Sequence, residues 1–248
     1  SESLETTTFE LKVNIFLKKT QVPDWASDRL RIVTHRDIIP EEFLPTFNST
    51  TIEMFLHRIP GLDERFIYFN DDMFPVAPCV EHDFFRDGKI VIGFSCHIFA
   101  GGMYKRQCRN SDWMARKCLG LGNGLFFLRP QHICSPMLRS ACEEISEKMK
   151  EEIYATVSQV RTMDNLNQYL FLDYLFHKGM AVRERLSGKF FSIATSSASR
   201  IGEYLKSPSR KLVCINDVHL KEESYLSERK ILLDSFEFAL PAKSEFEK

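Results

Sequence analysis

No apolar run in this chain approaches the roughly 20 residues that cross a bilayer, so a membrane-spanning helix is not expected. No CxxC pair occurs among its seven cysteines, which argues against a structural zinc site. The odd cysteine count points to reduced, often buried thiols in a reducing compartment. Charge of either sign is not in excess. The net charge is −1, which excludes a general nucleic-acid binder and a highly charged disordered chain. No internal repeat is visible. The opening Ser-Glu-Ser-Leu-Glu-Thr is acidic and polar, unlike a signal peptide. What is present is 248 residues, 44% of them apolar, with 21 phenylalanines. That suits one large domain with a sizeable core.

Helix and strand signals alternate. Strands are expected at Leu30 to Val33, Phe66 to Phe69, Ile90 to Phe94, Phe190 to Ala194 and Leu212 to Ile215. Helices are expected at Thr50 to Ile59, Pro136 to Tyr154, Asp164 to Lys178 and Ser224 to Leu240. In the first of these, Thr50 and Glu53 have capping-box spacing and Pro60-Gly61 is a stop. In the last, Leu226, Leu233, Phe236 and Leu240 are expected to face inward. Two stretches break the patterning and read as long loops or lids: the glycine-rich, basic 100–124 and the serine-rich, basic 195–210. Alternating strands and helices predict an α/β layered domain.

Five groups of residues carry side chains suited to chemistry. An apolar strand ends in Asn70, Asp71 and Asp72, and ligand sites in open α/β sheets lie off such strand ends. Paired carboxylates suit a hard divalent cation, and the same residues equally make a turn. Asn48 and Ser49 lead into a helix on which Glu53 and His57 share one face, followed by Arg58. Phosphate binding at the helix start and an ordinary capped surface helix both fit. Asn48-Ser49-Thr50 is also a glycosylation sequon. His132 precedes one expected helix, and Arg161 with Asp164 opens another. An arginine fork can hold phosphate oxygens, or it can pair on the surface. A second strand ends in Asn216-Asp217.

The segment LPTFNSTTIEMFLHRIPGLDERFIYFNDDMF, Leu44 to Phe74, resembles the second conserved region of the Stealth proteins. The likeness extends upstream through Gln21 to Trp25 and Thr34 to Pro40. Downstream, His132 to Pro136 and Arg161 to Gln168 resemble the third region. Cys214 to Asp217, with Leu240 to Glu247, resembles the fourth. A strand like the family's first region is not among the 248 residues, and the family's His-x-Pro is replaced by His-Ile-Cys-Ser-Pro.

The resemblance implies a single catalytic domain over 1–248 of the nucleotide-sugar transferase type: a mixed sheet, GT-A-like or Rossmann-like, with helices on both faces. It implies transfer of a sugar-1-phosphate, typically N-acetylhexosamine-1-phosphate, from a UDP-sugar to a glycan hydroxyl, with UMP released. Asp72, His132, Arg161 and Asp217 are then the catalytic candidates. Asn48, Ser49, Glu53, His57, Arg58, Asn70, Asp164 and Asn216 are the substrate-binding candidates. Asp71 and Asp72 are the ligands of Mg²⁺ or Mn²⁺. The setting implied is capsule or exopolysaccharide synthesis in a bacterial cytosol, with peripheral association at the inner membrane, or alternatively the Golgi lumen. Two other functions share these residues: an inactive, acceptor-binding module, and a metal-dependent phosphodiester hydrolase.

Overall fold

The computed structural model describes residues 13–16, 24, 26–216, 222–244 and 246–248. Asp217 and most of Gln21 to Trp25 therefore lie outside the described residues. In chain order the elements are β1 (Val13–Phe16), β2 (Leu30–Val33), α1 (His35–Ile38), α2 (Ser49–Glu53), β3 (Arg65–Tyr68), β4 (Met73–Pro75), β5 (Phe85–Arg86), β6 (Lys89–Ile92) and β7 (Phe94–His97). There follow α3 (Gly102–Cys118), β8 (Phe127–Pro130), β9 (Ser135–Leu138), α4 (Arg139–Lys148), α5 (Lys150–Thr156) and α6 (Tyr169–His177). The last are β10 (Ala181–Arg183), β11 (Gly188–Ser192), α7 (Ala198–Lys206), β12 (Leu212–Asn216) and α8 (Glu222–Ala239). The architecture is mixed α/β, as the alternating signals predict. No helix among the described residues is long and apolar enough to cross a membrane.

The strands form short ladders of two or three. β1 and β2 are parallel, as are β10 and β6, and β11 and β12. β4 joins β12 antiparallel, β3 pairs β9, β5 pairs β6 and β7 pairs β8, all antiparallel. The β5–β6 hairpin turns at Asp87-Gly88, both at positive φ, which an Asp-Gly pair accommodates readily. The main core joins β6, β8, β9, α4 and α6, with Ile90, Met137, Ile145, Leu170 and Tyr174 essentially inaccessible. A smaller core around Phe191, Ile201, Val213 and Ile215 holds α7 and α8 against β11–β12.

Several expectations are corrected. The stretch 100–124 is not a loop, because α3 occupies most of it. Its buried positions are Gln107, Cys108, Ser111, Asp112 and Ala115, which recur at helical spacing but are small or polar. An apolar period is therefore not there to read. These groups bind other polar groups instead. Asp112 bonds Arg116 Nε at 2.9 Å and His177 Nε2 at 2.7 Å. Gln107 donates to the Thr162 carbonyl at 2.8 Å, and Ser111 to Asn167 Oδ1 at 3.0 Å. The stretch 195–210 likewise holds α7, capped by the Ser197 hydroxyl accepting from the Arg200 amide.

The expected 136–154 helix begins instead with β9, buried at all four positions, and turns helical only at Arg139. The expected 164–178 helix starts at Tyr169. The expected 50–59 helix is one turn of α2 capped by Asn48, then a 3-10 turn at Leu56–Arg58. Ile90 to Phe94 is two strands, divided at Gly93, where a Cβ would lie 2.8 Å from the Arg185 Cα and the Gln131 Oε1. On α8, Leu226 and Leu233 are exposed rather than inward, and so is Leu240 just beyond it. That helix packs through Leu232, Phe236 and Ala239.

Candidate active site

Asp72 sits in a tight turn in which the Met73 amide donates to the Asn70 carbonyl at 3.2 Å. The turn delivers the chain into β4, where Met73 pairs with Cys214 of β12. The Ile215 amide donates to the Asp72 carbonyl at 2.8 Å, locking the two strands at this residue. Strand residues two apart share a face, so Cys214 and Asn216 both reach the Asp72 carboxylate. Cys214 Sγ donates to Oδ2 at 3.3 Å and Asn216 Nδ2 to the same oxygen at 3.4 Å. The other oxygen, Oδ1, is buried with no hydrogen-bond partner.

His132 enters from the loop between β8 and β9, which is pinned where the Gln131 amide donates to the Gly93 carbonyl at 2.7 Å. Its Nε2 lies 3.9 Å from Asp72 Oδ2, and its Nδ1 lies 3.0 Å from the Tyr169 hydroxyl. Tyr169 OH is in turn 3.0 Å from Tyr104 OH on α3. Burial lowers the His132 pKa, and the charges of Arg129 and Arg161 act the same way against the opposing pull of Asp72. The imidazole is therefore held neutral at neutral pH. Burial and the nearby Asp72 carboxylate push the Cys214 thiol far up, so it stays protonated and acts as a donor.

A second polar group braces the site from beneath. Asn48 is buried; its Oδ1 accepts from the Thr50 amide and hydroxyl, and its Nδ2 reaches Asn165 Oδ1 at 3.1 Å and the Ser158 carbonyl at 3.2 Å. Ser49 accepts from the Arg161 guanidinium. Glu53 is buried and accepts from the Gln168 amide at 3.1 Å. Desolvation lifts its pKa to about 7, against the lowering effects of the Gln168 amide, Arg161 and the Tyr68 hydroxyl.

Two comparisons bear on what this cluster belongs to. Residues 4–92 match the family description Stealth protein CR2, conserved region 2. A capsular polysaccharide phosphotransferase of Streptococcus pneumoniae is 31% identical, over 92% of this chain and 78% of the relative. The chain belongs to the Stealth family. A capsular polysaccharide phosphotransferase of Haemophilus influenzae is 32% identical over 79% of this chain, which spans 59% of that relative. An exopolysaccharide phosphotransferase of Streptomyces coelicolor is 32% identical over 92% of this chain, which spans 44% of it.

The segments that resemble separate Stealth regions thus converge in space. Asp72, His132 and Asn216 come from three of them and meet within hydrogen-bond or near hydrogen-bond distance. Arg161 and Ser49 meet beside them, and the Arg161 charge is felt at both His132 and Glu53. Other residues lie elsewhere. Asp71 and Asp164 are exposed, and Arg58 is exposed over the Phe55 ring. Asn48 and Glu53 are interior struts, not an open face, and burial of Asn48 removes the sequon from modification in the folded protein. His57 is largely buried against Phe171, with its Nδ1 unpartnered and its pKa lowered by desolvation to about 4. His132 and Arg161 do not immediately precede helices, since β9 and the 162–168 segment intervene.

Cys214, Tyr169 and Tyr104 join the site without having stood out in the sequence. The two-residue spacing of Cys214 and Asn216 is the available signal for the first. The tyrosines have none, and one of them lies in the stretch that reads as a loop.

Asp72, His132 and Cys214 place one ligand atom each within 4.8 Å of one another. Their chemistries differ. Mg²⁺ and Mn²⁺ favour oxygen ligands, and the Cys214 thiol is held protonated. The fit to such a cation rests on Asp72, whose buried Oδ1 lacks any partner. An unsatisfied buried carboxylate oxygen is costly unless something positive meets it.

Proposed function

We propose that this chain is a phosphotransferase of capsule or exopolysaccharide assembly, moving a sugar-1-phosphate from a UDP-sugar to a glycan hydroxyl and releasing UMP. The observation that carries this reading is the convergence of His132, Asn216 and Cys214 on one oxygen of the Asp72 carboxylate, while its other oxygen is buried without a partner. The names of the curated relatives support the reaction class and the polysaccharide acceptor. Their bacterial sources favour the cytoplasmic side of the envelope.

In the proposed reaction the acceptor oxygen forms a bond to the sugar-side phosphorus. The bond from that phosphorus to the UMP oxygen breaks, and the hydroxyl proton passes to a base. His132, neutral and presenting Nε2 toward Asp72, is the base. Its Nδ1 contact with Tyr169 fixes the ring, as the second nitrogen of a catalytic histidine commonly does. Arg161, held by Ser49, is the permanent cation facing charge on the transferred phosphoryl oxygens. Asn216 orients the Asp72 carboxylate. A divalent cation, Mg²⁺ or Mn²⁺, would be held by Asp72 and would neutralise the diphosphate of the donor. Asn70, two residues before Asp72 in the same turn, is a further amide for the donor.

The test is a screen of UDP-sugars with the purified chain and a glycan acceptor, following UMP. Release that requires acceptor is the expected result. Release without acceptor indicates a hydrolase, and no release with retained acceptor binding indicates a binding module. Either of the last two outcomes overturns the proposal.

A further inference from the structure

Behind the cluster lies a cavity of about 600 Å³ with no acidic residue in its lining. Arg185, Lys189, Arg200 and Arg210 surround it. None of the four is ion-paired among the described residues, whereas Arg86, Lys206 and Lys211 close by have carboxylate partners. Four unpaired cations around one hollow repel one another, and an anion relieves that repulsion. Two further lining residues carry buried polar atoms without a partner: the Tyr204 hydroxyl and the Gln131 amide oxygen. Arginine forks match phosphate oxygens.

The cavity adjoins the candidate active site through two pairs of consecutive residues. Gln131 lines the cavity, and His132 belongs to the cluster. Lys189 lines it as well, while its neighbour Phe190 brings its ring within 6.0 Å of the His132 ring. Alternation along β11 explains the second pair, with Lys189 and Phe191 on the cavity side and Phe190 on the other.

We infer that this cavity binds the phosphodiester-bearing part of the acceptor glycan, one or more repeats back from the hydroxyl that reacts beside His132. This rests on the transfer reading above, in which each addition leaves one more phosphodiester in the chain. Four cations around one hollow suit a ligand with more than one anionic group, and a chain with an anion on every repeat is such a ligand. The cavity therefore favours acceptors that already carry the product linkage, and the preference weakens as salt screens the exposed charges.

The experiment is calorimetric titration of the full chain with three probes: a defined phosphodiester-linked N-acetylhexosamine tetramer, a neutral tetramer of the same sugar, and UDP. Each is run with the wild type and with Arg200→Gln/Arg210→Gln, two exposed positions outside the cluster. The phosphodiester tetramer is expected to bind the wild type and to lose about tenfold or more in Kd in the variant, while the neutral tetramer binds weakly to both and UDP is unaffected. A second pair, Arg185→Gln/Lys189→Gln, repeats the loss should the first variant not fold.

Equal tetramer affinity in wild type and folded variants overturns the inference, as does a loss of UDP binding equal to that of the tetramer, which assigns the cavity to the donor. The two readings fail separately. Tetramer binding that depends on the four cations, without UMP release, keeps the cavity and sinks the transfer. Acceptor-dependent UMP release with unchanged tetramer binding in the variants does the reverse.

Discussion

Replacing Glu53 by glutamine isolates one buried proton. The carboxyl is enclosed between α2, the Tyr68 hydroxyl and the Gln168 amide, and burial raises its pKa from 4.5 to about 7. Between those values the folded protein keeps a proton that the unfolded chain has released. The protonated form therefore contributes its full stabilisation below the unfolded value, and that contribution is lost as pH rises through about 7. A tenfold difference in proton affinity between the two states is worth about 1.4 kcal/mol, so the loss is about 3 kcal/mol. Glu53→Gln keeps the shape and an oxygen for the Gln168 amide but cannot titrate.

The unfolding free energy of Glu53→Gln minus that of the wild type should rise by about 3 kcal/mol from about pH 4 to about pH 8. Urea unfolding at constant ionic strength measures it, with unchanged m-values confirming that the same surface is exposed. Parallel pH profiles for the two proteins would refute the reasoning and mean that Glu53 is ionised in the fold, with Arg161 and Tyr68 compensating its burial.

Three further outcomes are expected. His132→Ala and Arg161→Ala each lower kcat by about 10²-fold with melting temperatures near wild type; Arg161→Lys stays impaired because it loses the planar fork. A melting-temperature drop with normal turnover per folded molecule would make both residues structural. Exhaustive EDTA treatment abolishes UMP release, Mg²⁺ or Mn²⁺ restores it, and Asp72→Asn removes that rescue; undiminished turnover in EDTA rejects the cation. Gly202→Ala places a Cβ 2.4 Å from the Ser235 hydroxyl and costs about 1–3 kcal/mol. The cost shrinks in a Ser235→Ala background, and a double-mutant cycle without coupling contradicts the α7–α8 contact.

Where burial follows an apolar pattern, the sequence is readable. β2 is apolar apart from the exposed Arg31 and β12 is apolar up to Asn216, and each lies within a residue of its expected span. Where burial is polar, it is not. Besides Cys108 and Ala115, the inner face of α3 carries Gln107, Ser111 and Asp112, which give no hydrophobic period yet are inaccessible because each finds a partner across the packing. Glu53 misleads in the same way: a glutamate four residues before a histidine reads as an outer face until a backbone amide from residue 168 meets it. At the site, the Asn-Asp strand ends point to Asp72 and Asn216, which the fold brings together, although the same residue types also make turns, as Asn70 to Met73 do. The thiol and the two tyrosines escape notice because they look like core residues; the thiol becomes a site residue through the pairing of β4 with β12, and the tyrosines through the packing of α3 and α6 beside His132.

That pairing also has a temporal side. β4 leans on β12, with Pro75 opposite Leu212, so the edge that presents Asp72 waits on the ribosome for a partner roughly 140 residues downstream. At translation speeds of about 5–20 residues per second, the delay is about 7 to 28 seconds. The carboxylate, its thiol and its amide are therefore among the last neighbours to meet. Nascent chains that stop before residue 212 carry the entire region-two segment and still lack the strand that would position Asp72.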